Sequence, residues 1–140
     1  MAGLSLKVIT PEREALDVED VEIVVAPGID GQLGILRRHA PLIAQLEPGT
    51  LRVRRDSEEQ YFSISGGFLE VMNDAVTVLA DASERAGDID LERAHRAREA
   101  AQRDLEAARI SRDNTEATRA RLALLRAMAR VSTVVRMGGR

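Results

Sequence analysis

The 140-residue sequence contains no cysteine, which excludes disulfide frameworks, thiolate metal centres and cysteine nucleophiles. Histidine occurs only at His39 and His95, too few for an imidazole-rich metal site. Aromatic residues make up 2% of the chain, as Tyr61, Phe62 and Phe68, so the stacking platforms that hold single-stranded nucleic acid are poorly supplied. Apolar runs are only a few residues long, and Met1 to Thr10 has no basic region leading into an apolar core and a small-residue cleavage site. Neither a membrane span nor a secretory signal is visible. The length suits one ordinary domain, or a small domain with an appendage, and is too short for a doubly wound nucleotide-binding enzyme.

What is present is unevenly distributed. Residues 1–87 carry 8 basic and 15 acidic side chains, net −7, and residues 88–140 carry 12 basic and 8 acidic, net +4, summing to −3 for the whole chain. From Arg109 onward, 8 arginines stand against only Asp113 and Glu116. So cationic a segment in an acidic protein calls for an anionic partner: nucleic acid, an anionic lipid surface or an acidic patch on another protein. Charge alone does not choose among them.

From Leu4 to about Leu79 the apolar pattern has a period near 2, punctuated by Gly, Pro and Asn-Asp. Leu4, Leu6 and Val8 alternate with Ser5 and Lys7, and Pro11 ends this strand. Val21, Ile23 and Val25 alternate with Glu22 and Val24 before Pro27-Gly28. Leu51 and Val53 alternate with Arg52 and Arg54, and Phe62 and Ile64 with Tyr61, Ser63 and Ser65. Phe68 to Met72 and Ala75 to Leu79 flank Asn73-Asp74, a hairpin-turn signal. With no helical periodicity between the strands, parallel βαβ units are disfavoured and an antiparallel sandwich or barrel is expected over residues 1–87.

After Ala80 the period lengthens to about 3.6 and Ala, Arg and Glu dominate, all good helix formers. Residues 88–140 therefore read as a two-helix antiparallel hairpin. The first helix opens at Asp88 or Asp90 and runs to about Ser111. Asp113, with Glu116 three residues on, looks like a capping box opening the second, which runs to about Arg136. Ala117, Ala120, Leu124, Ala127, Val131 and Val134 fall at spacings 3, 4, 3, 4, 3, an a/d seam answered by Ala94, Ala97, Ala101, Leu105 and Ala108. Alanine supplies one methyl where leucine supplies four carbons, so the seam packs closely but weakly. The hairpin is expected to be marginal alone and able to re-pack on a better surface.

Each chemical motif has an ordinary reading beside it. Gly28, Gly31 and Gly34 precede a strand rather than a helix, and no lysine follows. They fit a surface loop between strands better than a phosphate cradle. His39 lacks a legible orienting carboxylate or nucleophile, which leaves a structural or interface role. Glu84, Asp88, Asp90 and Arg93 cluster where sheet gives way to helix, as helix caps or as the holder of an anionic ligand. The arginines Arg109, Arg112, Arg119, Arg121, Arg126, Arg130 and Arg136 are a solvated face or a binding face. A face with so few acids at i±4 argues for binding.

The order of two sequence blocks adds a resemblance. Gly31-Gln32-Leu33-Gly34-Ile35-Leu36, then His39-Ala40-Pro41-Leu42, then Leu46 and Gly49, resembles the signature of the epsilon subunit of F-type ATP synthases. Ser65-Gly66-Gly67-Phe68-Leu69-Glu70-Val71, followed by Val76-Thr77-Val78-Leu79-Ala80-Asp81 and Ala86, is similar to that family's second signature. The resemblance spans essentially the whole chain. It implies a non-catalytic rotor subunit of the central stalk, peripheral to the cytoplasmic face of a bacterial cell membrane. In it an N-terminal β-sandwich sits beside the gamma subunit and on the ring of c subunits, coupling proton translocation to ATP synthesis. By the same resemblance Asp30, Gly31, Gln32 and Leu33 meet the c-ring, with Gln32 standing where some relatives carry an acid. His39, Ala40, Pro41 and Leu42 lie near gamma.

The family's hairpin folds down on the sandwich or extends into the catalytic head, where it hinders ATP hydrolysis. A helix of about 22 residues is about 33 Å long at 1.5 Å per residue, a useful reach along a stalk. The resemblance implies that Arg119, Arg121, Arg126 and Arg130 contact an acidic segment of the catalytic beta subunits. Ile89-Asp90-Leu91-Glu92-Arg93-Ala94 also resembles the ATP-binding motif of some bacterial epsilon subunits, with Glu84 matching a further position. Glu84, Ile89 and Asp90 would then lie towards adenine and Arg93 towards the phosphates of a regulatory ATP with Mg, with Ala94 also in the site. Ala100 stands where those relatives place another arginine, for which Arg98 or Arg103 is the candidate substitute. No cofactor is required and no metal site is expected. The rival readings are a basic helical-hairpin module that binds nucleic acid, which the acidic sheet opposes, and a small enzyme, for which no convergent site is legible.

Overall fold

The structure, a computed structural model, describes residues 3–138. Strands β1 (Leu4–Ile9), β2 (Glu14–Val21), β3 (Ile23–Gly28), β4 (Gly31–Ile35), β5 (Leu42–Arg55), β6 (Glu58–Met72), β7 (Ala75–Ala80) and β8 (Ser83–Arg85) come first. A single 3₁₀ turn, Ala86–Asp88, then leads into helices α1 (Leu91–Ser111) and α2 (Asn114–Gly138). The sheet order is β2-β1-β7-β6-β5-β3-β4, with β8 also on β6.

The long strands β5 and β6 make this a sandwich. They pair along their whole length, from Leu42 opposite Val71 to Arg55 opposite Glu58, and so belong to both layers. At one end β6 continues the sheet into β7, β1 and β2; at the other the ribbon carries β3 and β4 on one side and β8 on the other. Gly66 and Gly67 sit at the change of layer, at φ +106° and +132°. A Cβ on Gly67 would lie 1.9 Å from the Leu79 carbonyl oxygen, so only glycine fits there. Between the layers Leu4, Leu6, Ile35, Leu51, Ile64 and Leu69 are fully buried.

Three features depart from the sequence expectation. β2, Glu14–Val21, is a strand that was not anticipated: its acids are exposed, and Leu16 and Val21 alone reach the buried class. Val21, Ile23 and Val25 do not share the core face. The chain breaks at Glu22 between β2 and β3, and the core instead takes Val21, Val24 and Ala26. The sheet is also not wholly antiparallel, because β1 pairs parallel to β7; these strands are far apart in the chain, so the connection is long enough to permit it. The Asn73-Asp74 turn is as expected, with both residues at positive φ, and Asp56-Ser57 makes a second such turn.

The hairpin is folded against the sandwich. Asp90 caps α1, accepting from the Arg93 backbone N–H at 3.1 Å, and Arg112 ends it in the left-handed conformation, φ 58°. Asp113 accepts from the Glu116 N–H at 3.0 Å, but the Glu116 carboxylate turns to Arg119 instead of completing a reciprocal capping box. α1 buries Ala94, Ala101, Leu105 and Ala108, while Ala97, predicted in the seam, is exposed. α2 buries Ala120 and Ala127 from the predicted seam and also Ala129 and Thr133. It packs on β5 and β6 as well as on α1, leaving α1 as the outermost layer. This cover explains why Thr50, Tyr61 and Ser63, on the nominally polar side of their strands, are buried.

Candidate functional site

The junction of sandwich, 3₁₀ turn and helices forms a cleft of about 340 Å³ lined by Glu84, Asp88, Ile89, Asp90, Arg93, Ala94, Ala97 and Arg130. β8 supplies Glu84, the turn supplies Asp88, and the first turns of α1 supply Arg93, Ala94 and Ala97. The fold thus brings together all five residues assigned above to a nucleotide. It adds Arg130 from α2, whose guanidinium Nε donates to a Glu84 carboxylate oxygen at 3.1 Å. Arg130, assigned above to a contact with the beta subunits, joins the helices to the sandwich here while the hairpin is folded. Its partner lies 46 residues away, a separation no local pattern reveals.

The cleft is chemically mixed. Ile89, Ala94 and Ala97 give it an apolar surface, Arg93 and Arg130 two positive charges, and Glu84, Asp88 and Asp90 three carboxylates, so an apolar ring joined to an anion would have to sit with its anion at the arginines. Asp90 is already engaged as the helix cap. Ala100 does not line the cleft, and neither do Arg98 or Arg103; Arg98 donates to Nδ1 of His95 at 3.1 Å. Among the described residues no group of three or more His, Cys, Asp or Glu side chains is arranged to hold a metal ion.

The remaining assigned residues fall in other places. Asp30, Gly31, Gln32 and Leu33 form the tip of the β3–β4 hairpin, with Gly28 opposite Gly31 and Gly31 at φ +123°. Asp30, Gly31 and Gln32 are exposed, which suits a docking tip, while Leu33 packs against the core. His39 to Leu42 form the connection into β5. His39 there bonds the Ala40 carbonyl through Nδ1 at 2.7 Å, and the neighbouring Arg38 N–H donates to Asp74 at 2.6 Å. That connection adjoins the outer face of β5, β6 and β7, where Ile43, Phe68, Met72 and Leu79 are each more than half exposed and share the face with Gln45, Glu70 and Thr77. Its residues lie in one region only once the strands are paired, since Gln45 lies opposite Phe68 and Phe68 opposite Leu79.

Among the arginines, Arg119 is bound to Glu116, which raises its pKa and holds Glu116 below the usual carboxylate range. Arg121 and Arg126 line a different cleft, between α2 and the sandwich. At the far end of α2, on the β5–β6 surface, Tyr61 donates to Glu59 at 2.5 Å and Arg52 pairs with the same carboxylate. The Tyr61 bond, helped by Arg52, holds Glu59 below the usual range, and the same bond pushes the Tyr61 phenol up.

An N-terminal β-sandwich followed by a two-helix hairpin packed on its surface defines the class of fold. Its sequence matches the family described as ATP synthase, Delta/Epsilon chain, beta-sandwich domain over residues 3–86, and the companion long alpha-helix domain over residues 88–134. The chain belongs to the ATP synthase delta/epsilon family. It is 47% identical over 132 residues to the ATP synthase epsilon chain of Moorella thermoacetica, covering 94% of this chain and 96% of that one. To the epsilon chain of Symbiobacterium thermophilum it is 44% identical over 131 residues, covering 94% and 92%. A chain of the Euglena gracilis mitochondrial ATP synthase shares its fold, with TM-score 0.82 at 22% identity over all of this chain and 83% of that one. The family membership makes this an ATP synthase subunit rather than an enzyme in its own right, and nothing in these relatives supports the nucleic-acid alternative. Among the described residues no helix is long and apolar enough to cross a membrane.

Proposed function

We propose that the chain is a rotor subunit of the central stalk, at the cytoplasmic face of a bacterial membrane, whose sandwich docks on gamma and the c-ring and whose hairpin restrains ATP hydrolysis. What carries this reading is the contrast between a hairpin held on the sandwich by small and polar groups and a row of arginines whose own helix offers few acids. The tip at Asp30 to Leu33 would meet the ring. His39 to Leu42, continued by the exposed face around Ile43 and Phe68, would meet gamma. Arg119, Arg121, Arg126 and Arg130 would reach an acidic segment of the beta subunits when the hairpin extends. Replacing Arg121 and Arg126 by Ala in the reconstituted ATP synthase is expected to raise ATP hydrolysis with assembly intact; unchanged hydrolysis refutes the inhibitory assignment.

The junction cleft supports a regulatory nucleotide as its ligand. Ile89 and Ala94 would hold the base and Arg93 the phosphates, with Arg130 released from Glu84 to join them; magnesium would be carried by the phosphates. The ligand would tie α1, α2 and the sandwich together and so favour the folded hairpin. Titrating the purified chain with Mg-ATP, with Arg93→Ala alongside, is expected to show saturable binding lost in the variant. No binding at millimolar ATP would leave these residues as caps and an interdomain ion pair.

A further inference from the structure

The arginine row shares a cleft with carboxylates that the sequence order conceals. A cleft of about 800 Å³ separates α2 from the bend of the sandwich, with Arg121, Arg126 and Arg130 on the helix wall and Glu47 and Asp81 on the sandwich wall. Glu47 stands in β5 just past the buried Leu46, and Asp81 follows β7 with its N–H bonded to the Gly66 carbonyl at 3.1 Å. Both residues are therefore anchored through their backbone at the layer change, with their side chains exposed. Neither Arg121 nor Arg126 has an acid three or four residues away in its own helix. Glu84 extends the acidic track to Arg130, where it closes into an ion pair.

We propose that Glu47 and Asp81, continued by Glu84, are an internal counterpart for the arginine row, holding α2 against the sandwich in the place that an external acidic partner takes when the hairpin leaves. The inference rests on the reading that these arginines bind carboxylates of another subunit. Opposite charges facing across a partly solvated cleft attract modestly and additively. Leaving the sandwich exchanges one set of carboxylates for another, so the electrostatic cost of release is largely returned on arrival. Contacts of this kind make a two-position device nearly balanced, so that a modest second input decides the position. The sandwich thereby competes with the partner, and the acidity of residues 1–87 has a local purpose at this cleft.

The test is hydrogen exchange of α2 amides in the full chain, together with anisotropy of a fluorescent glutamate-rich peptide. Glu47→Gln/Asp81→Asn is compared with Glu14→Gln/Asp17→Asn, which makes the same charge change on the remote strand β2. We expect α2 exchange to quicken by about three- to tenfold, the size expected for two weak ion pairs, with the sandwich amides and the control unchanged. Arg121→Gln/Arg126→Gln, altering the other wall, should loosen α2 equally. The peptide should bind the acid-neutralised chain about three- to tenfold more tightly than the control, and should lose binding in the arginine variant. Unchanged α2 exchange in the acid-neutralised chain overturns the proposal. Loosened α2 with a peptide that binds no form keeps the internal contact and overturns the acidic-partner reading alone.

Discussion

The interior of the sandwich and the interface beneath the hairpin are built from different materials. Between the sheets lie whole leucine, isoleucine and valine side chains with no polar group among the largest of them. Under α2 lie alanines and a hydroxyl pair: Thr133 donates to the Ala129 carbonyl at 2.7 Å, which leaves Thr50 to donate to Thr133, also at 2.7 Å. The first interior gains stability roughly in proportion to buried carbon. The second gains little from area and draws its specificity from groups that must be paired while buried. One chain has in this way one interior packed with carbon and another, beneath the hairpin, packed with small and polar groups.

The sharpest way to break the comparison is in the core. Leu51→Ala, at a fully buried site, is expected to cost about 2–5 kcal/mol of global stability in a urea titration. A cost below 1 kcal/mol would mean the sandwich is no better packed than the hairpin. Next, Thr133→Val strands the Thr50 hydroxyl and should weaken docking by about 1–3 kcal/mol. The effect should appear as faster exchange of α2 with the sandwich unaffected, and Thr50→Val/Thr133→Val should recover most of it. The smallest effect is acid-dependent. Glu59, faced by Tyr61, Arg52 and Arg54, titrates in the folded chain below its ordinary value of 4.5. Its contribution is therefore complete above that value and lost as pH falls through the lowered one. Glu59→Gln should flatten the decline of stability between neutral pH and pH about 3, measured by urea midpoints. An unchanged decline would remove Glu59 from the account.

What the sequence made legible follows the same division. Strand alternation around Leu4 to Val8 and Leu51 to Val53, the Asn73-Asp74 turn and the helix caps at Asp90 and Asp113 are local patterns, and the fold keeps them. β2 escaped because its acidic residues interrupt the apolar signal, and the phase change at Glu22 escaped because four apolar residues from Val21 to Val25 alternate equally well either way. The alternation of Tyr61 and Ser63 with Phe62 and Ile64 does not show that both faces are buried, since nothing in a strand announces that a helix 70 residues later will cover it. The junction cleft was found through its contiguous stretch from Ile89 to Ala94, while Arg130 and the facing acids Glu47 and Asp81 were not, because only the docked hairpin brings them near.

Chain order and layer order run in opposite senses in the hairpin: α1 comes first along the backbone yet packs outermost, on α2. During synthesis the sandwich is complete at Arg85, and α1 then emerges before the surface it will rest on exists. An alanine-lined helix of 21 residues must wait, exposed and only marginally helical, until α2 leaves the ribosome. Its many charges suit that exposed interval, because a charged helix has little apolar surface to offer another chain.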